Sequence, residues 1–268
     1  MLSVTRVLTL LAVLTLPELA QRTILKPDFN IFTVAQDAEF GRIAAAEIEA
    51  QSAMLQNAAV VRYLNALGRN LAAKAPGGNQ FRFQLKLITD KRINAFGLPG
   101  GIIYVTRGTI EAAQNEAQLA SVIAHEIGHV VLRHGSHQLS KAYALQSPVS
   151  SLGAIGKTPV AEALAKVGGG FTASSLVLKN PLEAEAQADL LAVQIMFDAG
   201  YDPEASVRFF EILQAQTTGQ PHPQEHPETR NRIASVSNEI RRLGAAQPNA
   251  KVDSPEFQAS RTVLLNLP

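Results

Sequence analysis

The residues best suited to do chemistry are two histidines and a glutamate that lie close together, His125, Glu126 and His129. In an α-helix, residues four apart are neighbours on the surface, so both imidazoles can reach one metal ion. Glu126 is about 100° round the helix from His125, given the ~3.6-residue period. It would therefore lie beside such an ion, where a carboxylate can take a proton from metal-activated water.

These residues belong to the stretch Leu119–Gly135, which the pattern predicts to be one helix. Its apolar residues recur at helical spacing and form one stripe: Leu119, Val122, Ile123, Ile127, Val130 and Val131. The plain alternative is a solvated polar helix face that binds no metal. It is disfavoured because the ionisable groups interrupt an otherwise apolar helix, where an unpartnered charge is costly.

A catalytic zinc site needs a third protein ligand and an open position for water. His134 is the nearest candidate, but it stands nine residues from His125, roughly half a turn away by the helical period. It cannot join the same ion if the helix continues. We therefore predict that His134 and His137 lie at the helix C-terminus and face its dipole.

The segment Glu183–Asp189, EAEAQAD, offers a better third ligand. Glu185 and Asp189 are four apart on a predicted helix and hence share one face. One carboxylate can coordinate the ion while the other accepts a hydrogen bond from a ligand imidazole. The alternative is an exposed acidic helix start, which the helix dipole favours.

The elements that must position these residues are mostly helical. Capped helices are predicted after Asp37 and Asn57, from about Gly108 to His134, and in a series that opens at Asn180-Pro181 and continues to Leu243. Alternation predicts strands at Phe81–Ile88 and Ile102–Thr106. Ser147–Ser175 is rich in Gly, Ser and Pro, and we interpret it as a mobile connection with one short helix, Val160–Val167. It is either a lid over the site or a slack loop.

Composition restricts the class of protein. The chain has 268 residues, a formal net charge of +1 and no cysteine. The near-neutral balance gives no footprint for nucleic acid, and the missing thiols exclude disulfides and thiolate metal sites. Met1–Gln21 has the positive start and short apolar run of an export signal. It is either cleaved or kept as a membrane anchor, so the functional domain is predicted at 22–268.

Four stretches, in this order, carry a family resemblance: NAFGLPGGIIYVTRG, AHEIGHVVLRHG, EAQAD and HPETRNR. They resemble the CAAX-prenyl-protease-like gluzincins, peptidase family forty-eight of the metallopeptidases, in its soluble periplasmic branch. The resemblance covers roughly 29–243. It implies one zinc ion per chain and protein or peptide substrates, cleaved in the cell envelope.

The same resemblance implies a role for each matching residue. The zinc ligands fall on His125, His129 and Glu185, and the general base falls on Glu126. The supporting aspartate falls on Asp189, while a histidine and an arginine near the scissile carbonyl fall on His226 and Arg232. His226 either donates to the oxyanion or blocks the open metal position. Two departures concern the third-ligand helix, where Gln187 replaces a glutamate and Pro181-Leu182 replaces Ser-Arg.

Strands at the place of Ile102–Thr106 receive substrate in this family as an added strand, backbone to backbone. The expected substrate-binding residues are therefore Gly100, Gly101, Ile102 and Tyr104, unless this is an ordinary sheet strand. We predict a mostly helical α+β gluzincin domain whose small sheet has an edge strand in the cleft. Two other functions stay open: a non-proteolytic, chaperone-like envelope protein with a structural zinc, and a helical domain without metal.

Overall fold

The computed structural model describes residues 22–146, 159–167, 180–217, 229–244 and 247–268. These residues form ten α-helices and three strands, which confirms the mostly helical α+β prediction. The helices are α1 (Val34–Gln51), α2 (Ala58–Ala72), α3 (Arg107–Ala112), α4 (Glu116–Val131), α5 (His134–Leu145), α6 (Val160–Val167), α7 (Leu182–Asp198), α8 (Glu204–Thr217), α9 (Thr229–Leu243) and α10 (Pro255–Leu265). None of the helices within these ranges is long and apolar enough to cross a membrane.

The sheet consists of β1 (Gln84–Ile88), β2 (Ala95–Gly97) and β3 (Ile102–Thr106), in the order β1-β3-β2. β3 pairs in parallel with β1 and antiparallel with β2. The prediction that Ile102–Thr106 is the edge strand is therefore wrong, because both of its sides are occupied. A tight turn through Gly100, at φ 85°, folds β2 back onto β3 and makes β2 the edge.

Helix α4 lies at the centre of the domain. The side chain of Asn115 caps it by accepting from the Gln118 amide, as residues of this type do at helix starts. Its most extensive packing is against α7. Gly128 permits this approach, since a Cβ there would lie only 3.2 Å from the Ala188 carbonyl oxygen. The sequence thus brings the helix of His125 directly onto the helix of Glu185.

The predicted single helix Leu119–Gly135 is broken. Helix α4 ends at Val131, and Arg133 takes the left-handed conformation with φ 58°, the single such non-glycine residue in the described ranges. Its guanidinium holds both carboxylate oxygens of Asp37 on α1, at 2.7 and 3.0 Å, and the Phe32 carbonyl at 2.6 Å. This ion pair stabilises a bend that a non-glycine residue rarely adopts, and α5 begins directly after it.

Two other boundaries bear on the site. Helix α6 spans Val160–Val167 as predicted, whereas the remainder of the Ser147–Ser175 connection that separates α5 and α7 lies largely outside the described residues. Helix α7 begins at Leu182 with Pro181 as its N-cap, and no side chain caps it. Asn180 was predicted as that cap. Its side chain instead reaches His129, with Nδ2 3.2 Å from the ring Nδ1.

Candidate metal centre

Three donor atoms converge where α4 meets α7. His125 and His129 lie on one face of α4, and their Nε2 atoms are 3.0 Å apart. Glu185, from the first turn of α7, places one oxygen 3.5 Å from His125 Nε2 and the other 3.3 Å from His129 Nε2. All three side chains are buried. They form the one group of this kind in the part of the chain that the structure describes.

These separations fit a metal ion. A tetrahedral zinc ion bound at ~2.0–2.1 Å has its ligand atoms roughly 3.3 Å apart. The donor atoms here are 3.0 to 3.5 Å apart. Two imidazoles with one carboxylate are also a donor set of catalytic zinc sites, which leave a fourth position open. The residues present therefore suit zinc in number, chemistry and spacing.

Asp189 lies behind His125, one turn along α7 from Glu185. Its Oδ1 is 2.8 Å from His125 Nδ1, so the carboxylate can hold the ring with Nε2 facing the other donors. Arg232 on α9 binds both oxygens of Asp189 at 2.7 Å and stacks over the ring of Phe210. Although burial opposes the charge, the Arg232 guanidinium lowers the pKa of Asp189 to about 2.

The surrounding protein groups shift the pKa values of the two histidines in opposite directions. Burial disfavours the charged form of His125, but hydrogen bonds to Asp189 and Glu185 outweigh it and raise its pKa to about 10. Burial lowers the pKa of His129 to about 3, and Glu185 offsets this only in part. Because metal ligands must be deprotonated, a bound cation would replace the extra proton of His125.

His134 occupies the far side of His129, and this corrects its predicted place at a helix C-terminus. It is the first residue of α5, is 2 % exposed, and its Nδ1 is 2.8 Å from His129 Nδ1. Its Nε2 is 3.1 Å from the Gln187 carbonyl oxygen. The bend at Arg133 produces this contact. Helical spacing extended past Val131 could not have revealed it.

Glu126 lines a cleft that opens beside the three donors. One wall is the edge strand β2 and the turn after it, and the other comes from α4, α5 and the start of α7. The lining residues are Phe96, Gly97, Leu98, Pro99, Glu126, His129, Val130, Arg133, Gly135, Ser136 and Asn180. An edge strand therefore does line the cleft, as predicted, although it is β2.

The four predicted substrate-binding residues do not line this cleft. Gly100 and Gly101 form the turn between β2 and β3, Ile102 begins the central strand, and Tyr104 is fully buried, with its hydroxyl 2.6 Å from Glu49. The physical reason is the strand order, which places β2 between the cleft and β3. His226 lies outside the described residues.

Sequence comparison agrees with this geometry. Residues 55–240 match the family described as Peptidase family M48, which is more than half of the chain. The chain belongs to this peptidase family. The match spans the elements from α2 to α9 and so includes all three donors, Glu126 and Asp189.

Two individual relatives are each less than 30% identical to this chain. The chain is 26% identical over 280 residues to the beta-barrel assembly-enhancing protease of Escherichia coli K12, an alignment that covers 97% of this chain and 56% of the relative. It is 29% identical over 169 residues to the mitochondrial metalloendopeptidase OMA1 of Schizosaccharomyces pombe, covering 60% of this chain and 47% of the relative. The chain thus spans about half the length of the curated relatives it matches.

Proposed function

We propose that this protein is a zinc-dependent endopeptidase that holds one zinc ion between His125, His129 and Glu185. The observation that carries the proposal is the convergence of three buried donor atoms, 3.0 to 3.5 Å apart, beside a cleft that His129 and Glu126 line. Membership of the peptidase family and the printed names of the relatives, a protease and a metalloendopeptidase, support the same reaction.

Glu126 is the proposed general base. When bound, zinc supplies a Lewis acid that polarises the scissile carbonyl and makes water more acidic. Glu126 then takes the proton of the attacking water and delivers it to the leaving amine. Asp189 holds the His125 ring in place, and Arg232 in turn fixes both oxygens of Asp189.

The substrate backbone is proposed to add to β2 as a further strand. Such pairing binds extended peptides through main-chain hydrogen bonds, without a strict sequence requirement. Gly97 suits this arrangement, because a Cβ there would lie 3.2 Å from the Glu126 carbonyl oxygen and 3.6 Å from its carboxylate. The glycine therefore keeps the space between the edge strand and the proposed base open.

Stabilisation of the oxyanion is assigned to His226 and Arg232 on the basis of the family resemblance. Arg232 is paired with Asp189 and lies 3.9 Å from Glu185, so a direct contact between Arg232 and the oxyanion stays a prediction. If His226 donates a hydrogen bond to the oxyanion, His226→Ala should lower turnover about 10²-fold with zinc retained. If His226 instead blocks the open metal position, His226→Ala should raise activity. His222→Ala is the matched control, since both histidines lie in the same Pro-rich segment.

The place of action is proposed to be the cell envelope, with proteins or peptides as substrates and quality control as the role. The export-type segment Met1–Gln21 supports the location, with or without anchoring to the inner membrane. A relative with 97% coverage of this chain is named as a protease that enhances beta-barrel assembly.

Metal analysis combined with a cleavage assay tests the function. Wild-type protein should contain about one zinc per chain and cleave an unfolded protein. Glu126→Gln should keep both zinc and fold but lose turnover by ~10²–10⁴-fold, the range for a general base. Glu183→Gln, a change at an exposed helix position, is the control. Zinc-dependent folding without cleavage in the wild type would instead favour the chaperone-like alternative.

A further inference from the structure

Behind His129, on the side away from the other donors, lies a second set of polar side chains. His134 Nδ1 is 2.8 Å from His129 Nδ1, and Gln187 Oε1 is 3.1 Å from His134 Nε2. The three groups form a line that runs from the surface of α7 through α5 to the ligand on α4. The proposed catalytic mechanism uses neither His134 nor Gln187.

The chemistry of the line fixes where its protons sit. A metal on His129 Nε2 requires the proton of that neutral ring to be on Nδ1. At 2.8 Å, His134 Nδ1 must then accept this proton, which leaves the proton of His134 on Nε2. The carbonyl oxygen of Gln187 lies where an acceptor for that proton is needed. A metal on His129 and the acceptor oxygen of Gln187 therefore require the same arrangement of protons on the two rings.

We propose that His134 and Gln187 are positioning residues for His129. Gln187 selects the His134 tautomer, and His134 holds the His129 ring with the Nε2 lone pair directed at the metal position. This role rests on the proposed zinc site and extends it. Such partners of ligand imidazoles orient the ring and typically contribute 10–100-fold in metal affinity.

The two ligand histidines are thereby held by different chemistry. His125 is backed by the carboxylate of Asp189, which is paired with Arg232. His129 is backed by an uncharged ring and an uncharged amide. A neutral relay orients the second ligand without placing another negative charge close to Glu185. The glutamine at 187 therefore becomes part of the site, although it cannot reach the metal position itself.

Asn180 provides the competing explanation. Its Nδ2 is 3.2 Å from His129 Nδ1, but a protonated Nδ1 can interact with this amide only through the amide oxygen. Asn180 on its own could then orient the ring. Replacing Asn180 and His134 separately distinguishes the two possibilities.

The experiment measures zinc affinity by chelator competition on the full-length protein. His134→Leu should weaken binding 10–100-fold, and Gln187→Leu by a smaller factor. His134→Asn should restore binding, because its side-chain oxygen can occupy the place of the ring Nδ1. His137→Leu, the same change three residues along α5, should have no effect. Imidazole ¹⁵N spectra of the zinc-loaded protein should show the His129 Nδ1 proton hydrogen-bonded to nitrogen, and His134→Leu should abolish that signal.

The outcomes separate the two proposals. A wild type that binds no zinc overturns the proposed function and this role together. A wild type that binds zinc, with His134→Leu binding as tightly, overturns only the positioning role, as does a loss in Asn180→Ala that His134→Leu does not share. If His134→Leu fails to fold, the contrast between Gln187→Leu and the folded His134→Asn decides the question.

Discussion

Buried polar clusters lie at both ends of α4, and they differ in the types of side chain that they bring together. At the C-terminal half is the candidate metal centre of His125, His129 and Glu185. At the first turn, Glu116 is 2 % exposed. Four side chains contact it, from α2, the connection before α8 and the segment before α10: Tyr63, Tyr201, Lys251 and Ser254. We call this group the Glu116 cluster.

The Glu116 cluster is matched within itself. Tyr201 donates to one carboxylate oxygen at 2.6 Å and Tyr63 to the other at 3.1 Å, while Lys251 and Ser254 add one further contact to each oxygen. In the candidate metal centre, by contrast, three side chains of the types that bind zinc converge, with donor atoms 3.0 to 3.5 Å apart. Burial of polar groups is thus common to both, and only the convergence of metal-binding donor types indicates a cation site.

The largest effect is expected where one of the three donors is removed. Glu185→Ala should lower zinc affinity by more than the ~10–100-fold typical of a partner of a ligand, since a ligand itself is lost. Glu183→Ala, two residues away and exposed, should bind zinc like the wild type. Chelator competition on both variants gives the answer, and equal zinc content would remove Glu185 from the ligand set.

Removal of Glu116 should affect stability instead of metal. Glu116→Ala leaves two tyrosine hydroxyls and Ser254 without their acceptor, which should lower the free energy of unfolding by about 2–3 kcal/mol. Zinc affinity of the folded protein should stay within about twofold. Denaturant unfolding measures the first and chelator competition the second. Glu256→Ala, an exposed glutamate at the start of α10, should change neither, and a selective loss of zinc in Glu116→Ala would contradict the contrast.

The Glu116 cluster also predicts a pH dependence. Burial acts to raise the pKa of Glu116, but hydrogen bonds from Lys251, Ser254 and Tyr201 outweigh burial and hold the pKa below its usual value of 4.5. A lowered pKa in the folded state means that this contribution is fully present above the unfolded pKa and is lost as the pH falls through the folded value. The stability difference between wild type and Glu116→Gln should therefore shrink as the pH falls from 4.5, the usual pKa of this carboxyl group, through the lower value in the folded state. A gap that stays constant over this range would disprove the assignment.

The smallest effect is expected at the edge of the same cluster. Tyr63→Phe removes one of two donors to a Glu116 oxygen and should cost about 0.5–1 kcal/mol in unfolding free energy. In a Glu116→Gln background the same change should cost less, because the acceptor is weaker. A double-mutant cycle measures this coupling, and strictly additive losses would show that the hydroxyl acts through packing alone.

The candidate ligand set was predictable because its spacing is local. His125 and His129 share one helical face by the period alone, and Glu185 and Asp189 repeat the same four-residue interval on a second helix. The family resemblance joined the two helices and chose Glu185 over Asp189. The mostly helical fold with a small sheet was predicted from the same kind of periodicity. The one long-range contact that these predictions needed, between the two ligand helices, came from the family resemblance.

The features that escaped prediction depend on distant partners. The left-handed residue at the bend after Val131 is Arg133, and neither glycine nor proline occupies this position. The conformation depends on the ion pair with Asp37, 96 residues earlier, which local sequence does not reveal. His134 contacts His129 only because of that bend. The edge strand was misplaced for a similar reason. Which of two short apolar strands is central depends on pairing with β1, and their own sequences do not contain that information.

The contact of Glu116 with Ser254 also sets how late in synthesis a growing chain can gain its full stability. The two residues are 138 positions apart, and at synthesis rates of ~5–20 residues per second the interval between them is on the order of ten seconds. During that interval the nascent chain already carries His125 and Glu126, but the anchor for the first turn of their helix has not been made. A half-synthesised chain therefore lacks the stabilisation that the Glu116 cluster gives to this helix in the complete fold.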